Sequence, residues 1–140
     1  MYKFRSMRLN ADQDGDPRAA MENDDRVTRV GHWLRRLRLD ELPQFFNILR
    51  GDMAFIGPRP FMPNMEAEYS REIPFYTQRW LVKPGATGWA QVRRGYCETL
   101  EDNIEKLSYD LFYIKNISIG LDCIILFHTV KILLLGRGGR

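Results

Sequence analysis

Apolar residues recur at helical spacing along residues 30–39. Val30, Trp33, Leu34 and Leu37 fall on one side of a helix and Arg35, Arg36 and Arg38 on the other. Pro43 opposes extension of that helix, yet its ring is tolerated in the first turn of a new one, so a second helix is expected from about Asp40. Leu42, Phe45, Phe46 and Leu49 follow at i, i+3, i+4 and i+7, which predicts a buried face for it.

Residues 53–63 are apolar and punctuated by Gly57, Pro58, Pro60 and Pro63, the composition of a rigid turn or loop that presents Arg59. Residues 65–79 read as another helix, interrupted at Pro74, and residues 83–95 as a glycine-broken segment around a short strand at 89–92. Residues 100–113 are helical again, with Ile104, Leu107, Leu111 and Phe112 facing inward. The opening YKFRSM alternates like a strand, and residues 10–25 are polar and acidic like a loop. The run 117–135 is apolar enough to suggest a membrane span, but Asp122, His128 and Lys131 interrupt it. A core helix, or one lying in a membrane interface, fits it better. Together these elements predict a compact α+β domain of mostly amphipathic helices with a few short strands, associated with a membrane interface.

The 140 residues suit one domain. A net charge of +3, from 21 Lys+Arg against 18 Asp+Glu, is too small to indicate nucleic acid. Its distribution says more, because Asp12 to Asp25 hold six acids and one arginine, while Arg26 to Arg50 hold six arginines with only Asp40 and Glu41 as acids. That carboxylate pair sits in a positive field, which suits a phosphorylated ligand or an anionic membrane surface. Cys97 and Cys123 have neither metal-ligand spacing nor a C-x-x-C pattern, which fits a reducing compartment and speaks against zinc or thiol chemistry. No charged stretch followed by an apolar run opens the chain, so no secretion signal is read.

Adjacent residues on a regular helix point about 100° apart, so Asp40 and Glu41 share a site only where the backbone turns, as at a helix start. Free amide N–H groups there favour negative charge and an arriving phosphate. One carboxylate can attack phosphorus and form a covalent intermediate, while the other holds a hard cation such as Mg²⁺. Repulsion between the anions calls for that cation and for a fixed arginine on the phosphoryl oxygens, a part that Arg59 between Pro58 and Pro60 can fill. On residue types alone, an acidic helix start and a structural ion pair at Arg59 also fit.

Four separated segments, KFRSM (3–7), LRRLRLDELPQFFNILRGDMAFIGPRP (34–60), VKPGATGWAQV (82–92) and YDLFYIKNISIGLD (109–122), resemble the bacterial sugar transferase family. These are the monotopic polyprenyl-phosphate phosphoglycosyl transferases. The resemblance implies transfer of a sugar 1-phosphate from a UDP-sugar to undecaprenyl phosphate in two displacements. It places the reaction at the cytoplasmic face of the bacterial inner membrane, at the start of exopolysaccharide or glycoconjugate synthesis. By position it implies Asp40 as nucleophile, Glu41 as its catalytic partner and Mg²⁺ ligand, and Arg59 as the phosphate contact of a Pro-Arg-Pro element. Arg35 and Asp110 match a further arginine and a further acid of the substrate site. The implied partners are the UDP-sugar, undecaprenyl phosphate and a membrane surface, and nucleic acid is not among them.

Family members carry, upstream of the KFRSM element, a hydrophobic helix that enters and leaves one leaflet. None is seen here, so residues 1–140 are expected to be the catalytic domain and C-terminal part of a longer protein. Two other readings use the same residues: a non-catalytic scaffold on a membrane surface, and a Mg²⁺-dependent hydrolase of nucleotide diphosphates with water as acceptor.

Overall fold

A computed structural model of the chain describes residues 1–9, 11, 24–94 and 99–135. Most of the expected acidic loop lies outside the described residues, as does Cys97. The described helices are α1 (Arg29–Arg36), α2 (Gln44–Leu49), α3 (Pro63–Glu72), α4 (Trp89–Arg93), α5 (Leu100–Lys115) and α6 (Ile119–Leu134). Two strands, β1 (Ala54–Ile56) and β2 (Gly85–Thr87), and 3-10 turns at Leu39–Glu41 and Tyr76–Leu81 complete an α+β domain. Side-chain caps mark the helix starts: Thr28 accepts from the Gly31 amide, Ser118 from the Leu121 amide, and Thr99 exchanges bonds with Asp102.

The strands pair in parallel, Ala54 opposite Gly85 and Ile56 opposite Thr87. A parallel pair needs a long crossover, here α3 and the turn Tyr76–Leu81. The approach demands glycine. A β-carbon on Gly57 would lie 2.7 Å from the Lys83 carbonyl oxygen, and one on Gly85 would collide with the Gly57 main chain. The loop that bears Arg59 is thereby pressed against the segment around residue 85.

The strand expected at 89–92 is helix α4 instead, and the strand lies just before it. Among the described residues no second partner pairs with β2, and past Gly88 the chain buries Ala90 and stacks Trp89 on Phe112 of α5, with ring centroids 6.2 Å apart. The loop expected at 53–63 likewise contains β1, created by its pairing. The opening YKFRSM makes one bridge, Met7 with Val27, and no ladder. Its amides go elsewhere: Tyr2 N donates to Asn47 Oδ1 at 2.7 Å and Phe4 N to the Asp40 carbonyl at 2.9 Å.

A small core of Ile73, Tyr76 and Leu107 joins the crossover to α5, with Phe61, Tyr69 and Leu111 against it. The buried stripe of α5 is Asn103, Leu107, Asp110 and Tyr113, whereas Ile104 and Phe112, expected inward, are about half exposed. The face of α2 is also opposite to expectation. Gln44 and Asn47 are buried, and Leu42, Phe45, Phe46 and Leu49 are exposed, Leu49 to 83%. Its polar side is turned inward because Asn47 holds the amino-terminal segment. On α6 only Ile125 is buried, which excludes a core helix, and among the described residues no helix is long and apolar enough to cross a membrane.

Candidate active site

The helix break that Pro43 foretells begins at Arg38, whose φ of 54° is left-handed, a conformation that ends α1 and aims the chain into the 3-10 turn Leu39–Glu41. That turn brings Asp40 and Glu41 to one place. Lys3 Nζ lies 2.9 Å from Asp40 Oδ2 and 4.0 Å from Glu41 Oε1, so one ammonium spans the pair. Glu41 also receives Arg59, whose Nη2 pairs with Oε1 and whose Nη1 lies 3.4 Å from Oε2. Two carboxylates and two cations therefore alternate in the order Asp40, Lys3, Glu41, Arg59. Asp40 is only 3% exposed, and its Oδ1 makes no hydrogen bond among the described residues.

Arg59 is fixed from three directions. Its own guanidinium donates to the Ala86 carbonyl of β2 at 3.2 Å, its neighbours are prolines, and its carbonyl accepts from Arg79 Nη2 at 2.7 Å. Arg79 is buried, and its other arms donate to Asp110 Oδ2 at 2.8 Å and to the Tyr76 hydroxyl at 2.7 Å. Burial pushes the Asp110 carboxyl above its ordinary range, opposed by the charge of Arg79. Burial likewise drives the Tyr76 phenol upward against the same guanidinium.

Asp40, Glu41 and Arg59 are thus brought together. Asp110 is not brought to the carboxylates, and it reaches Arg59 only through Arg79 and the main chain. Arg35 donates from Nε to Ser6 Oγ at 2.8 Å and so braces the segment that carries Lys3. Lys3 and Arg79 are missing from the sequence-derived set. For Arg79 a signal exists: it lies three residues after Tyr76 and shares its face, so a charge there enters the core. Lys3 has no local signal, because its partners come from a distant helix break.

The side-by-side carboxylates offer hard oxygen donors of the type Mg²⁺ takes. Mg²⁺ commonly uses one or two protein carboxylates and fills its shell with water and substrate phosphate. Among the described residues no group of three or more His, Cys, Asp or Glu could hold a metal, so a cation here would take its remaining oxygens from water or a bound phosphate.

A chain that joins a KFRSM-type segment, an Asp-Glu turn and a proline-flanked arginine into one cluster has known kin. Residues 1–136 match the family model of the bacterial sugar transferases, and the chain belongs to that family. It is 51% identical, over all its length, to the UDP-N-acetylgalactosamine-undecaprenyl-phosphate N-acetylgalactosaminephosphotransferase of Aeromonas hydrophila. It is 46% identical over 95% of its length to the UDP-glucose:undecaprenyl-phosphate glucose-1-phosphate transferase of Xanthomonas campestris pv. campestris. The enzyme of the same name from Escherichia coli (strain K12) is 46% identical over 93% of the chain. The chain spans 33%, 28% and 28% of these relatives, respectively.

Proposed function

We propose that this chain is the catalytic part of an enzyme that transfers a sugar 1-phosphate from a UDP-sugar to undecaprenyl phosphate. The observation that carries the reading is the alternating cluster of Asp40, Lys3, Glu41 and Arg59, together with the relatives' names. Lys3 occupies Asp40 Oδ2 and leaves Oδ1 as the attacking oxygen. In the first displacement Oδ1 bonds to the sugar-bearing phosphorus, the bond from that phosphorus to the bridging oxygen breaks, and UMP departs with the electron pair. In the second, a phosphate oxygen of the lipid attacks the same phosphorus, and the acyl phosphate bond breaks to restore the Asp40 carboxylate and give undecaprenyl-diphosphate-sugar.

Substrate phosphate displaces Glu41 from Arg59, whose main chain stays held by Arg79, and the guanidinium fork neutralises the phosphoryl oxygens. The released Glu41 would hold Mg²⁺, which would supply charge neutralisation at the diphosphate. The exposed apolar rows of α1, α2 and α6 and the arginines of α1 rest on the cytoplasmic face of the inner membrane, where the lipid acceptor resides.

A UDP-sugar labelled in its β-phosphate separates this reading from its rivals. Label that moves into a lipid-soluble product with polyprenyl phosphate present supports the transferase. Label released as sugar phosphate into water points to a hydrolase, unreacted UDP-sugar points to a scaffold, and either result contradicts the proposal.

A further inference from the structure

Behind Arg59 lies a cavity of about 640 Å³, between the proline loop, α3 and the end of the crossover, with Pro60, Phe61, Ser70, Trp80 and Pro84 in its walls. Its volume is that of a small-molecule site. One carboxylate ties its two walls together: Glu66 of α3 accepts from the Phe61 amide through Oε1 and from the Trp80 indole through Oε2, each at 3.0 Å. Trp80 remains 58% exposed although its polar atom is anchored. An exposed indole whose nitrogen is pinned is a flat plate held ready for another flat ring.

Away from Arg59, the polar side chains of the cavity are already engaged. Arg79 is engaged through all three nitrogens, Glu66 through both oxygens, and the Ser70 hydroxyl donates to the Ala67 carbonyl at 3.0 Å. A hexose placed there would leave hydroxyls unpaired among prolines and aromatic rings, at a cost in desolvation. A flexible isoprenoid chain would gain little from a rigid indole and would lose entropy on ordering. A planar base stacks on such a plate with few directed hydrogen bonds.

We infer that this cavity receives the pyrimidine base of the sugar nucleotide, stacked on Trp80, while its diphosphate reaches Arg59. The inference rests on the sugar-nucleotide reading above. It assigns Trp80 and Glu66 to recognition of the leaving group, with Glu66 acting through the orientation of the indole.

Calorimetric titration of the full chain with UMP, with a hexose 1-phosphate and with a short polyprenyl phosphate in detergent tests it. UMP should bind the wild type, and Trp80→Ala should weaken UMP about tenfold or more, in line with the worth of one base stack. Trp80→Phe should restore most of that affinity, and the other two probes should be unmoved. Ala67→Trp, which fills the cavity from the exposed side of α3, should abolish UMP binding with an unchanged circular dichroism spectrum. Equal UMP affinity in wild type and Trp80→Ala would overturn the cavity assignment and leave the reaction standing. So would a loss confined to the hexose phosphate or to the lipid. Failure of UMP to bind the wild type would overturn the sugar-nucleotide reading and the cavity assignment with it.

Discussion

Arg79 and Asp110 form a buried ion pair, 2.8 Å between Nε and Oδ2, that fastens the crossover onto α5, while Arg79 Nη2 donates to the Arg59 carbonyl. A pair of this kind is costly to break, because removing one partner strands the other charge away from water. Asp110→Asn should therefore destabilise the fold by about 3 kcal/mol. Because the proline loop that bears Arg59 hangs on the same guanidinium, it should also raise KM for the UDP-sugar. Urea denaturation and steady-state kinetics check both expectations. A loss below about 1 kcal/mol, the scale of an exposed ion pair, with unchanged KM would refute this role.

The Tyr113 hydroxyl donates to Asp122 Oδ1 at 2.9 Å and ties α5 to α6. Burial first, then the adjacent Asp122, pushes the phenol from 10.0 up to about 12. The folded value exceeds the unfolded one, so this contribution is complete below about pH 10 and is lost as pH rises from 10 toward 12. At neutral pH Tyr113→Phe should cost about 1 kcal/mol. In urea melts at increasing pH, the gap between wild type and variant should shrink above about pH 10. A gap that stays constant to about pH 12 would contradict the assignment.

Helix existence was legible because periodicity is local: residues 30–36, 100–113 and 119–134 carry their pattern and their caps. Helix direction was not. The apolar row of α2 is plain in the sequence, but which side faces inward depends on Asp40 and Asn47 meeting the amino-terminal segment. Strand β2 is Gly-Ala-Thr, with little strand propensity, and exists because Gly57 and Gly85 allow two backbones to touch. Asp40, Glu41 and Arg59 announced themselves as adjacent acids and a proline-locked arginine. Lys3 acts through partners far off in the chain, which spacing does not reveal, and the spacing of Arg79 from Tyr76 marks its inward face but not its partners Asp110 and Arg59.

The outward row of Phe45, Phe46 and Leu49, with Trp33 of α1, should bind lipid. Arginines near an anionic surface add on the order of 1 kcal/mol each, so binding to vesicles should prefer anionic lipid and weaken with salt. Replacing Phe46 and Leu49 together by Asp should reduce co-sedimentation severalfold without loss of helical signal. Binding that is indifferent to lipid charge, to salt and to this double substitution would rule out the surface.

In the proposed reaction Asp40 becomes covalently bonded to the sugar phosphate. Asp40→Asn keeps the size but removes the anionic nucleophile, and activity should fall by several orders of magnitude. Glu41→Gln should lower the rate together with its dependence on Mg²⁺. The most direct measurement is mass spectrometry of the full-length protein, quenched after incubation with UDP-sugar and Mg²⁺ and no lipid acceptor. A sugar phosphate adduct should appear on the peptide containing Asp40, absent in Asp40→Asn, with UMP released in equal amount. UMP that forms only when lipid is added, with no adduct at Asp40, would contradict it and favour direct transfer in a ternary complex.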